Sequence, residues 1–186
     1  MKRIILAVLS VLTVSAGAEA QTTAQTIERA LMAAPARGRD AASVVRWNAD
    51  YTWETIKEGT SQLVCYDRSG DPGQRPFAVQ CTVLGNLERV AQNRQVAAEG
   101  EDAAGRRAIV AAHQENGTRA MVVFGSVWIS VSGADQMNAG SHMTVAMPGA
   151  TMASTGFPEN RDAGGAFIMA AGTPEAHLMT PYVGSP

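Results

Sequence analysis

Apolar and polar residues alternate most clearly near the middle of the chain, where Val127, Ile129 and Val131 are separated by Trp128 and by serines. A period of two residues is typical of a half-buried strand. The apolar run MVVF at 121–124 precedes it and predicts a second strand. Gly125 and Ser126 would form a tight hairpin turn between the two.

Residues 62–84 contain both cysteines of the chain, at the two ends of a loop rich in Gly and Pro. The flanking segments LVCYD and FAVQCTV are rich in β-branched and aromatic residues, which favours strands. In a hairpin centred on Gly73, Cys65 would lie directly opposite Cys81, within reach of a disulfide. We therefore predict this disulfide, with a stabilisation of about 3 kcal/mol.

The segment before this hairpin, 51–57, also has the composition of a strand. Glu58 and Gly59 would form its turn, which places Trp53 opposite Val64 and Tyr51 opposite Tyr66. One face of the resulting sheet is apolar and consists of Ile56, Leu63, Cys65, Val79, Cys81 and Val83. The other face is aromatic but half polar and consists of Tyr51, Trp53, Gln62, Val64, Tyr66, Gln80 and Thr82. A covering helix explains such a face most simply, and a bound ligand is the alternative.

Helical periodicity and helix-ending residues complete the predicted fold. They predict helices over 22–34, 84–98 and 102–115 and a helical turn over 41–47, and strands over 142–147 and 166–170. Residues 148–165 form a loop that is longer than ordinary connections, and such loops are often functional. We predict an α+β fold of a single domain over 21–186, with an antiparallel sheet of hairpins, three or four short helices and one disulfide.

The N-terminus has the pattern of a secretory signal peptide over 1–20. Lys2 and Arg3 are followed by the apolar run 4–14 and by the small residues Ala18 and Ala20. The apolar run is too short to span a bilayer, and no later run is long enough for a transmembrane segment. We expect a periplasmic or secreted protein, in an oxidising compartment that permits the disulfide.

Charge and motifs exclude several classes of function. Without residues 1–20 the chain has 13 basic and 16 acidic side chains, so it lacks the basic surface of a nucleic-acid-binding protein. It contains no nucleophile elbow, zinc-protease pair or phosphate-binding loop. Ser141 and His142 are adjacent, so on a strand their side chains point to opposite faces and do not form a catalytic dyad.

Five His and Met residues in the C-terminal third form one candidate metal set: His142, Met143, Met152, His177 and Met179. Imidazole and thioether groups are the ligands that Cu(I) prefers. Their arrangement resembles the motif of periplasmic copper chaperones of the PCuAC kind. The resemblance implies copper binding, although the helices predicted here have no place in that family's all-β sandwich.

Three functions follow from these patterns. The first is an exported binding module without a cofactor, whose small ligand or protein partner contacts Tyr51, Trp53, Tyr66 and Trp128 or lies under the loop 148–165. The second is a periplasmic copper-binding protein that uses the His and Met set. The third is an enzyme of unknown class. We further expect the loop 148–165 to be ordered, with His142 and His177 close together at its rim.

Overall fold

One mixed sheet runs through residues 22–181, the part of the chain that the computed structural model describes. Its strands are β1 (Ser43–Trp47), β2 (Trp53–Lys57), β3 (Leu63–Asp67), β4 (Phe77–Val83), β5 (Val127–Gly133), β6 (Gly140–Ala146), β7 (Phe167–Met169) and β8 (His177–Met179). The helices are α1 (Thr23–Ala30), α2 (Leu87–Glu99), α3 (Ala103–Glu115) and the four-residue α4 (Met152–Thr155). The spatial order of the strands is β2-β1-β3-β4-β5-β6-β8-β7. The predicted α+β class is therefore confirmed, whereas the predicted signal peptide lies outside the described residues.

The cysteine hairpin has the predicted register. β3 and β4 are antiparallel, with Cys65 opposite Cys81 and a disulfide between them. Gly73 lies in the connecting loop with φ of 76°, a left-handed conformation that glycine adopts without strain. Both cysteines are fully buried, so the bond lies inside the core rather than at the surface.

Residues 43–47 form the strand β1, so the helical turn predicted over 41–47 is wrong. β1 lies between β2, to which it is antiparallel, and β3, to which it is parallel. The sheet is therefore mixed, not antiparallel throughout. Val44 and Val45 are both buried, and they belong to the hydrophobic clusters on opposite faces of the sheet. Burial on both faces is characteristic of an interior strand, and it masks the alternation by which an exposed strand is recognised.

Glu58 and Gly59 do not form the predicted hairpin turn. Instead, the chain leaves β2 and crosses the start of β1 to reach β3 on the far side. The backbone passes so close to β1 that a Cβ on Gly59 would lie 2.4 Å from the carbonyl oxygen of Ala41. The backbone N–H groups of Thr60 and Ser61 both donate to that oxygen at 2.9 Å. Gly59 is thus needed for a close crossing and not for a turn.

The strand pairs predicted around this turn are also wrong. Trp53 lies opposite Trp47 of β1 and not opposite Val64. Tyr51 lies in the turn between β1 and β2 and not opposite Tyr66. The predicted faces are nevertheless correct for the central strands, because shifting a partner strand does not change which way alternate side chains point.

Helices cover both faces of the sheet. The helix α1 and the turn after it cover the face that carries the disulfide, where Ala30 and Ala33 pack against Cys65, Val79 and Cys81. On the other face, Leu87 and Val90 of α2 pack on a cluster formed by Val45, Val64, Tyr66, Trp47, Trp53 and Trp128. The covering helix that the aromatic face required is therefore α2.

Polar contacts fix α2 at both ends. The buried Asn86, just before the helix, donates to the hydroxyl oxygens of Thr82 at 2.8 Å and Ser126 at 2.9 Å. Towards the other end, Arg94 forms an ion pair with Asp71 in the β3–β4 loop. Its guanidinium also lies 5.2 Å from the ring centroid of Trp47, within the range of a cation–π contact. These contacts fix the helix that forms one wall of the clefts described below.

The C-terminal part of the fold differs from its prediction in two strands. Residues 121–124 are not a strand, while β8 forms from His177–Met179 and pairs with both β6 and β7. The loop 148–165 contains α4 and is held by hydrogen bonds such as that from the Ile168 N–H to the Pro158 carbonyl at 2.8 Å. Within residues 22–181, no helix is both long and apolar enough to cross a bilayer.

Candidate functional site

Two rows of side chains cross the sheet on the face that α2 covers. Strand pairing aligns them as Gln80–Ser130–His142 and Trp128–Thr144–Met179. Ser141 points to the opposite face, as predicted from its adjacency to His142, and the residue paired with His142 is Ser130. These rows provide hydroxyl, amide, imidazole, thioether and indole groups along one side of the sheet.

A cleft of about 200 Å³ opens between these rows, α2 and the segment before β8; we call it the central cleft. Its polar lining consists of Gln80, Arg89, Asn93, Thr144, Glu175 and His177, and its remaining lining of Val122, Trp128, Ala146, Pro174 and Ala176. An apolar wall with a few convergent polar groups is the usual composition of a small-molecule site. For scale, a cavity of about 150 Å³ accommodates benzene.

Gln80 has a fixed orientation at the floor of the central cleft. Its Oε1 accepts from the Tyr66 hydroxyl at 2.7 Å and from the Arg68 guanidinium at 3.2 Å, and its Nε2 donates to Ser130 at 2.7 Å. Burial raises the pKa of the Tyr66 phenol, so Tyr66 stays protonated and acts as the donor. The second Nε2 hydrogen of Gln80 has no acceptor among residues 22–181 and can serve a ligand.

His177 has a defined tautomer. Its Nδ1 lies 2.7 Å from the carbonyl oxygen of Glu175, and a carbonyl can only accept, so Nδ1 carries the hydrogen. In the neutral ring this leaves Nε2 as an acceptor with a lone pair. A ring oriented in this way by a backbone carbonyl can accept from a ligand or coordinate a metal ion.

Glu175 binds three other parts of the chain and holds the wall of the central cleft in place. Its carboxylate pairs with Arg89 of α2, accepts from Arg119 Nε at 3.1 Å and accepts from Gln114 of α3 at 2.9 Å. Burial favours the neutral acid, but the hydrogen bond from Arg119 and the charges of Arg119 and Arg89 outweigh it and lower the pKa of Glu175. We call these four side chains the Glu175 cluster.

A second depression, of about 490 Å³, lies on the other side of α2; we call it the hairpin cleft. The turn between β1 and β2 provides Asp50, Tyr51 and Thr52, and β2 provides Trp53. The remaining lining consists of Glu88, Ala91, Gln92, Gln95, Thr118 and Ala120. Trp53 also packs edge-to-face with Trp47, at a distance of 5.4 Å between the ring centroids. Tyr51 has a φ of 65°, which lies in the left-handed region that residues other than glycine rarely adopt.

The four aromatic residues predicted to bind a ligand occupy three places. Tyr51 and Trp53 line the hairpin cleft, and Trp128 lines the central cleft. Tyr66 is fully buried under α2, where its hydroxyl supports Gln80. The aromatic face is thus divided by the helix that covers it.

The predicted metal set is also divided. His142, His177 and Met179 lie on the α2 face, whereas Met143 pairs with Ile129 on the other face and Met152 lies in α4 with 57% of its surface exposed. Burial, with a smaller contribution from the charge of His177, lowers the pKa of His142. Within residues 22–181, no three His, Cys, Asp or Glu side chains are close enough to hold a metal ion together.

Sequence reasoning named Gln80 and His177 in other roles and did not place Arg89, Asn93, Thr144 and Glu175 in one cleft with them. Arg89 and Asn93 are one helical turn apart on α2, but the same spacing is common on exposed helix faces. Glu175 precedes His177 by two residues, yet its partners Arg89, Gln114 and Arg119 come from elements distant in sequence. No local pattern in the chain indicates this convergence.

Comparison with known proteins adds no family to this picture. No known family model, curated protein or solved structure matched the chain. The functional assignment therefore depends on the geometry of the two clefts.

Proposed function

We propose that the chain is a small exported binding module that holds a compact polar ligand in the central cleft. The observation that supports this is the convergence of three fixed groups around an aromatic-lined space. The indole of Trp128 offers a stacking surface, Gln80 Nε2 offers a donor, and His177 Nε2 offers an acceptor. The ligand would be about the size of a single ring and would carry both a donor and an acceptor.

Export is part of this proposal. The disulfide indicates folding in an oxidising compartment, and the pattern over residues 1–20 supports export to the periplasm or the medium. A cleft formed by a rigid sheet and an anchored helix suits a protein that captures a small molecule outside the cytoplasm.

Native mass spectrometry of the exported protein tests the binding proposal. Protein purified without denaturation should carry a small non-covalent adduct, which Trp128→Ala removes because the stacking surface is lost. Trp53→Ala is the matched control, since it removes an equally large ring from the hairpin cleft and should leave the adduct bound. If Trp53→Ala lost the adduct and Trp128→Ala kept it, the assignment to the central cleft would be contradicted. So would the absence of any adduct from the native protein.

Copper binding is a second candidate, supported by the position of three predicted ligands on one sheet face. On β6, His142, Thr144 and Ala146 follow one another on the α2 face. Met179 lies opposite Thr144 and His177 lies opposite Ala146, so Met179 is the middle one of the three predicted ligands. His142 is four residues from Ala146, about 13 Å along β6, so both imidazoles must point towards Met179 to share an ion.

A Cu(I) titration against a chelator tests this candidate. His142→Gln, His177→Gln and Met179→Leu should each weaken the binding of Cu(I). Met143→Leu, on the opposite face, is the control, and equal affinity in all four variants would exclude this site.

A further inference from the structure

We propose that the hairpin cleft is a second binding site and that it takes a small organic ammonium cation. The hairpin cleft and the central cleft share no lining residue, so each proposed site can be tested separately.

The composition of the hairpin cleft favours a cation. Its lining combines the aromatic rings of Tyr51 and Trp53 with the carboxylates of Asp50 and Glu88, and contains no Lys, Arg or His. Aromatic faces attract cations through the ring quadrupole, most strongly at Trp, and such rings are the usual recognition element for quaternary ammonium groups. The two carboxylates add an attraction of the same sign, which a neutral or anionic ligand would not use.

The backbone of Tyr51 is strained at the edge of this cleft. The turn is tight, with the Tyr51 N–H donating to the Asn48 carbonyl at 3.1 Å and the Asn48 N–H to the Thr52 carbonyl at 2.8 Å. It requires φ of 65° at Tyr51, where glycine would be free of strain. The Tyr51 ring belongs to none of the hydrophobic clusters among the described residues. The strained residue thus brings an aromatic ring to the cleft without contributing to the core.

Asp50 has an oriented and charged carboxylate. Thr52 donates to its Oδ1 twice, from the hydroxyl at 2.6 Å and from the backbone N–H at 3.1 Å. These hydrogen bonds lower the pKa of Asp50, so it is ionised at neutral pH. They also fix the orientation of the carboxylate within the turn that lines the cleft.

The probe for this site is choline, and its control ligand is 3,3-dimethylbutan-1-ol, which has the same shape without the charge. We expect calorimetry at low ionic strength to show binding of choline and far weaker binding of the neutral alcohol. Added salt should weaken the choline complex, because the carboxylates are at the surface. Equal binding of the two compounds, or binding of neither, would overturn the proposal.

Two variants locate the site. Tyr51→Gly should weaken choline binding about two- to thirtyfold by removing one ring. The same substitution should leave the Tm unchanged or raise it by up to about 4 °C, because the relieved backbone strain is offset in part by the unfolded-state entropy of glycine. Lost binding therefore cannot be attributed to unfolding. Glu88→Gln should also weaken binding, while Glu28→Gln, an exposed acid on α1 behind the sheet, should not. Unchanged affinity in both Tyr51→Gly and Glu88→Gln would overturn the assignment to this cleft.

Discussion

At the scale of single residues, the buried amide of Asn86 joins the start of α2 to the sheet. Its side chain is fully buried, donates to the hydroxyls of Thr82 and Ser126, and accepts from the Val123 N–H at 2.8 Å. One amide therefore joins the end of β4, the start of β5 and the connection before it. Satisfied buried networks of this kind fix a unique arrangement of the elements they join.

Replacing Asn86 by Ala should lower the free energy of unfolding by about 2–3 kcal/mol. The reason is that the Val123 N–H would lose its acceptor and the buried hydroxyl oxygens of Thr82 and Ser126 would lose a donor. Urea denaturation measures the change. The control is Asn160→Ala, at an exposed position whose side chain makes no capping bond, where we expect a change within about 0.5 kcal/mol. A comparable loss in both variants would show that the amide network does not stabilise the fold.

Asn86 also shows a limit of single-sequence reasoning. The helix over 84–98 is predictable from its apolar period, and the structure confirms it as α2 with a short turn before it. Nothing in the local sequence distinguishes a buried, hydrogen-bonded Asn from an exposed one, because the three partners of Asn86 are 4, 37 and 40 residues away.

At the scale of elements, the segment 174–176 depends on the Glu175 cluster. It forms part of the wall of the central cleft and leads directly into β8. Its polar anchor is one carboxylate bound to Arg89, Arg119 and Gln114. The Arg89 side chain is only 6% exposed, so its charge has little access to water if Glu175 is removed.

Glu175→Gln should therefore destabilise the protein by about 2–3 kcal/mol at neutral pH, because it leaves a buried guanidinium without a counter-charge. The pKa of Glu175 is lowered by folding, so its contribution is present above the ordinary value near 4.5 and is lost as the pH falls through the folded value. Chemical denaturation from pH 7 to pH 3 should show the wild type and the variant converging in acid. A constant difference at every pH would contradict the role of the ionised carboxylate. Glu159→Gln, whose partner is the exposed Met152 N–H of α4, serves as the control.

Elements were predictable where the sequence signal is local and unpredictable where the chain makes long-range contacts. The alternation in β5 and the cysteine hairpin are local, and both predictions are confirmed. The crossing at Gly59 is not local, because the glycine is required by the nearby carbonyl of Ala41 and not by the residues next to it in the sequence. Likewise β8 has only three residues, and it is a strand because β6 and β7 provide partners on both sides.

At the scale of the whole molecule, the two clefts result from placing one helix over a sheet that is wider than it. The helix α2 packs on the aromatic cluster over the central strands, and a cleft lies on each side of it. The sequence predicts an aromatic face that a helix covers, but it does not predict that the helix leaves a separate cleft on each of its sides. This explains why Tyr51 and Trp128, predicted as parts of one surface, belong to different candidate sites.

The disulfide acts on the whole fold, because it joins β3 and β4 near the middle of the sheet, under α1. The two cysteines are 16 residues apart, and closing a loop of that length lowers the entropy of the unfolded chain enough to stabilise the fold by about 3 kcal/mol. Cys65→Ala combined with Cys81→Ala should lower the free energy of unfolding by about that amount, without burying a hydroxyl as serine would.

The matched test is chemical denaturation of the wild type and the double variant, each with and without a thiol reductant. The reductant should destabilise the wild type to nearly the level of the variant and leave the variant unchanged, with mass spectrometry verifying that the bond is broken. Because both cysteines are fully buried, reduction should proceed only as fast as the protein opens, and a denaturant should accelerate it. A wild type that keeps its full stability after complete reduction would show that the bond does not stabilise the sheet.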